Sequence, residues 1–74
     1  MTEAEITYMK TFVTKQLILL LMEKENISVQ EAVDTLYNSE TFQKLSNTDT
    51  GLYFQSPRYV FDYLNEELKT GRIS

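Results

Sequence analysis

A mainly α-helical single domain over residues 1–74, with three to four helices and one short extended segment, is what the sequence predicts. Three observations carry that prediction. Helix-start signatures recur as Thr2-x-x-Glu5, Ser28-x-x-Glu31 and Ser56-Pro57. Each offers a side-chain oxygen to N–H groups that the first helical turn leaves unpaired; the Glu can reach back to the cap, and the proline is pre-set for the first helical position. Apolar residues between the signatures recur at spacings of three and four. Only two glycines and one proline punctuate the 74 residues, so little interrupts helix.

The first helix is expected over residues 3–25. Ile6, Met9, Val13, Leu17 and Leu20 form one stripe at 100° per residue, while Tyr8, Phe12, Leu19 and Met22 form a second on nearly the opposite side. A helix of that length spans roughly 35 Å, against a diameter of roughly 30 Å for a globule of this chain length. One helix as long as the domain is wide therefore carries two apolar faces.

Asn26-Ile27 breaks it, and Ser28 starts a second helix whose Val29, Ala32, Val33, Leu36 and Tyr37 keep the spacing of one buried face. Asn38-Ser39 interrupts in turn. Ser39 caps a short third helix to about residue 45, which offers Phe42 and Leu45 to the core and is weak on its own. Residues 46–51 read S-N-T-D-T-G, which is turn chemistry, and Leu52-Tyr53-Phe54-Gln55 has strand-like composition.

Alternation in such a strand buries Leu52 and Phe54 and leaves Tyr53 and Gln55 beside an open edge. That edge would pair with residues 72–74, with a second copy or with another protein. The last helix begins at Ser56-Pro57, carries Val60, Phe61, Leu64 and Leu68 on one face with Tyr59 and Tyr63 beside it, and ends at Gly71.

Composition narrows the function classes. A domain this small buries only about 60 % of its unfolded surface and needs help to be stable. The chain has no cysteine and no histidine, which removes disulfides and nearly all structural metal sites and leaves a partner subunit. A formal charge of −4 opposes nucleic-acid binding by the chain as a whole. The longest apolar run, residues 17–22, falls far short of the roughly 20 residues of a membrane span. Glu3 and Glu5 occupy the place of a basic signal n-region, so a cytoplasmic protein is expected. Asn26-Ile27-Ser28 matches a glycosylation triplet, yet its serine serves as a helix cap.

No motif carries chemistry. Asp49-Thr50-Gly51 spells the aspartic-protease triplet, but polar turn residues flank it in a helical chain, and it reads as a tight turn. A calcium loop fails in phase: with Gly51 in the glycine position, the bidentate acid would be Pro57. Glu66-Glu67 and the Glu23 and Glu25 pair read as solvated helix charges. No catalytic, cofactor-binding or metal-binding residue is assigned, and no cofactor is expected.

Residues 28–47 offer a partial helix-turn-helix. The turn lacks glycine, and the reading helix would bring only Gln43 and Lys44 beside acidic Glu40. The nine aromatics, five of them tyrosine, exceed what a small core hides and suit a protein interface.

Gly51-Leu52-Tyr53, Ser56-Pro57-x-Tyr59-Val60, Leu64, Glu67-Leu68 and Gly71, with the capped Ser28 helix, resemble small uncharacterised bacterial proteins, some encoded beside toxin-like genes. The resemblance covers the C-terminal third and transfers no site residues. It implies an accessory or antitoxin-like role. The expected function is a non-enzymatic protein–protein interaction module that self-associates through the first helix, with Tyr8, Phe12, Leu19, Met22 and Tyr53 as interface residues. The alternative is a small DNA-binding regulator using residues 28–47.

Overall fold

The computed structural model describes residues 1–71 and has four α-helices: α1 (Glu3–Glu25), α2 (Val29–Tyr37), α3 (Glu40–Ser46) and α4 (Pro57–Thr70). Two 3₁₀ turns, Thr48–Thr50 and Leu52–Phe54, join α3 to α4. Each predicted cap is in place. Thr2 Oγ1 accepts from the Glu5 N–H at 3.1 Å while Glu5 accepts from the Thr2 N–H at 2.9 Å. Ser28 and Glu31 repeat the reciprocal pair at 3.1 and 3.0 Å. Ser39 accepts from Phe42 N–H at 3.0 Å, and Ser56 from Tyr59 N–H at 3.1 Å with Pro57 in the first turn. Asn26 and Gly71 close α1 and α4 in the left-handed conformation, at φ 54° and 85°.

The core draws on every helix and the second 3₁₀ turn: Val13, Leu17 and Leu21 from α1, Ala32 and Leu36 from α2, Leu45 from α3, Leu52 and Tyr53, and Val60, Phe61 and Leu64 from α4. The domain measures 35 × 26 × 18 Å. α1 runs for about 35 Å at 1.5 Å per residue, so it is the long dimension of the molecule. No helix among the described residues is long and apolar enough to cross a membrane.

Three expectations are corrected. Residues 52–54 are not extended: Gly51, at φ 70°, leads into a 3₁₀ turn in which Phe54 N–H donates to Gly51 O and Gln55 N–H to Leu52 O, both at 3.0 Å. The backbone is satisfied locally, so this segment presents no strand edge. A turn of period three also reorders the side chains. Leu52 is buried as expected, but Tyr53 is only 7 % exposed and Phe54 is 57 % exposed, the reverse of strand alternation. Residues 72–74, the suggested pairing segment, lie outside the described residues.

The second correction concerns α2, where Ala32 and Leu36 are fully buried and Val33 half-buried, whereas Val29 and Tyr37 at the ends of the helix face outward. The third is in α4. Glu67 takes the buried position in the last turns and Leu68 is exposed.

Candidate interaction surface

The first stripe of α1 faces inward: Val13 and Leu17 are buried and Ile6, Met9 and Leu20 half-buried, while the fully buried Leu21 belongs to neither predicted stripe. On the other side Tyr8 is 70 %, Phe12 45 % and Leu19 50 % exposed, while Met22 is half-buried. Of the five residues expected at an interface, three thus stand on one exposed line of α1 and Met22 borders it.

Tyr53 does not belong there. Its ring is buried in the core, 5.9 Å from the Lys10 ammonium and 5.0 Å from the Phe54 ring.

Sequence periodicity missed Met1, Phe54 and Val29 as contributors to this face. Phe54 lines a groove with Met1, Ala4, Tyr8 and Met9 at the N-terminal end of α1. Val29, first residue of α2, lines another with Ile18, Leu19 and Met22. Their signal was positional: a residue next to a cap or in a one-turn link sits at the end of an element, where face periodicity does not decide burial.

The buried polar side chains Ser39, Thr41 and Glu67 meet at the start of α3. Glu67 accepts from the Glu40 N–H at 2.8 Å, the Thr41 N–H at 2.9 Å and the Thr41 hydroxyl at 2.8 Å. A carboxylate from α4 therefore caps the positive end of α3 from 26 residues away. Burial pushes the Glu67 carboxyl up, but these three hydrogen bonds and the nearby Lys44 charge outweigh it and hold the group below its ordinary value.

At the other end of α3, Lys10 from α1 donates to Ser46 O at 2.7 Å and Thr48 Oγ1 at 2.8 Å. A cation there suits the negative end of the helix. Phe42 stacks on Tyr37 with ring centroids 4.4 Å apart, tying α3 to α2.

These contacts bear on the two-helix segment 28–47. The first-turn N–H groups of α3, which would approach a DNA phosphate, are occupied by Glu67, and Thr41 is fully buried. Gln43 and Lys44 are exposed beside Glu40.

The Asp49-Thr50-Gly51 triplet lies in a turn: Asp49 N–H donates to Asn47 Oδ1 at 3.0 Å and the Thr50 hydroxyl to Asn47 O at 2.9 Å. Among the described residues, no three acidic side chains cluster in a way that could hold a metal ion. No family model, curated protein or solved structure matches the chain.

Proposed function

We propose that the chain is a cytoplasmic, non-enzymatic protein–protein interaction module that self-associates through the outer face of α1. The observation that carries this reading is the line of exposed apolar side chains Tyr8, Phe12 and Leu19 on a helix whose other face is already committed to the core. At roughly 150–250 Å² per aromatic side chain, the exposed shares of Tyr8, Phe12 and Phe54 alone come to about 350 Å². Met1, Leu19 and Val29 extend that surface, which approaches the largest apolar patches found on monomers, about 300–600 Å².

An acidic chain of 74 residues without disulfides gains stability from such an interface. In the accessory or antitoxin-like setting that the resemblance implies, the same face, or its rim, is where a protein partner would also dock.

Thermal unfolding at several protein concentrations tests the proposal. An assembled native state raises its midpoint with concentration. Replacing Phe12 and Leu19 together by serine should abolish that dependence while leaving the helical signal; a wild-type midpoint that does not move with concentration would contradict self-association.

A further inference from the structure

The apolar surface on the outer side of α1 is divided, and the division gives it a direction. Towards the N-terminus, Met1, Ala4, Glu5, Tyr8, Met9 and Phe54 line a groove of about 490 Å³. Towards the C-terminus, a groove of about 320 Å³ is lined by Ile18, Leu19, Met22 and Val29 with Thr11, Thr14 and Lys15. Phe12 stands between them along the helix.

Beside the N-terminal ammonium of Met1, the first groove has one charged side chain, the acid Glu5; the second has one, the base Lys15. The grooves lie on opposite flanks. Met9 and Ile18, nine residues apart, are half a turn out of phase at about 100° per residue.

We propose that two copies of the chain pair α1 against α1 in antiparallel fashion, with the axes crossed and a two-fold axis near Phe12. Each N-terminal groove then covers the C-terminal groove of the other copy. This pairing rests on the self-association proposed above and specifies its geometry.

Charge selects the direction. Antiparallel packing sets the Glu5 groove against the Lys15 groove twice, whereas parallel packing sets Glu5 against Glu5 and Lys15 against Lys15. Helix dipoles oppose one another only in the antiparallel arrangement. The oblique course of the two grooves across α1 makes the axes cross rather than run side by side.

The three aromatics expose about 350 Å² of this surface, and Met1, Leu19, Val29 and the polar rims of both grooves extend it towards the roughly 800 Å² per partner of a standard interface. A two-fold uses the same patch on both copies, so the assembly closes at two. Phe12 meets its own copy at the centre, where interface energy usually concentrates.

Cysteine cross-linking tests the direction on a background that has no cysteine of its own. With the two-fold near Phe12, Ala4 of one copy faces the region of Leu19 in the other. Two copies of Ala4, or of Leu19, stand more than about 20 Å apart, far beyond the reach of about 7 Å between the Cα atoms of a disulfide. Single variants Ala4→Cys and Leu19→Cys, one of them tagged, are refolded together and oxidised with copper-phenanthroline.

Mixed disulfides should form about tenfold faster than either self-link, because only the mixed pair satisfies disulfide geometry. Each substituted side chain is exposed in the chain, and circular dichroism of the reduced variants confirms folding. Self-links as fast as mixed links, or no link between any pair in a protein whose mass exceeds one chain, would overturn the antiparallel pairing and leave self-association standing. A mass of one chain would overturn both.

Discussion

α3 and the outer face of α1 are both helical surfaces that the hydrophobic core alone cannot secure. α3 has seven residues, too few to hold together by its own hydrogen bonds, and it buries little beyond Thr41 and Leu45. It is anchored by polar groups from within the chain: the Ser39 cap, the Glu67 carboxylate and the Lys10 ammonium. The outer face of α1 has the opposite composition, with apolar area in surplus: the described elements leave Tyr8, Phe12 and Leu19 45–70 % exposed. A polar deficit can be met by one well-placed side chain from a neighbouring helix. An apolar surplus can be met only by a second apolar surface, and under the proposal above that surface is a second copy of the chain.

Removing the anchor of α3 should have the largest effect. Glu67→Ala leaves the Glu40 and Thr41 N–H groups and the Thr41 hydroxyl without their acceptor, at a cost of about 3 kcal/mol in chemical denaturation. A loss below about 1 kcal/mol would show that water replaces the carboxylate, and α3 would then be no better anchored than the face of α1.

The same contact sets a pH dependence. The Glu67 carboxyl is held below its ordinary value in the fold and returns to that value on unfolding. Its contribution is therefore whole above that value and is lost as pH falls through the lower folded value. Glu67→Gln should destabilise the neutral protein and flatten this acid slope; an unchanged slope in the variant would assign the acid sensitivity to other carboxylates.

Smaller effects separate local from long-range anchoring. Ser28→Ala removes the cap of α2, whose partners lie within three residues, and should cost about 1 kcal/mol. Lys10→Met keeps the stem and removes the charge at the C-terminal end of α3, which should cost about 0.5 kcal/mol and less in high salt. A salt-independent loss in that variant would trace to packing against Tyr53 rather than to the helix dipole.

Legibility in the sequence followed the same line. Caps are local signals, and Thr2, Ser28, Ser39 and Ser56 all start helices where their side chains suggested. The inward and outward sides of α1 are likewise readable over its 23 residues, with Leu21 rather than Leu20 as the exception that takes the last core position.

What failed was either too short for periodicity or too distant for pattern. Leu52–Phe54 has the aromatic composition of a strand, but composition expresses fit to a pleated surface rather than a backbone preference, and no second strand is present among the described residues to supply that surface. The positive φ of Gly51 and the cap at Ser56 leave room for one tight turn, which buries Tyr53 and turns Phe54 outward. Glu67 looked like one more solvated helix acid. Nothing within three or four residues of it reveals that the first turn of α3, on the far side of a loop, lacks an acceptor.

The mass of the wild-type chain in solution tests the central contrast most directly. Light scattering through a micromolar dilution series should give a mass above one chain, and Phe12→Ser with Leu19→Ser should bring it to one chain with the helices intact. A wild-type mass of one 8.7 kDa chain throughout, or an oligomer indifferent to that double substitution, would contradict the assignment of the outer face of α1 as the interface.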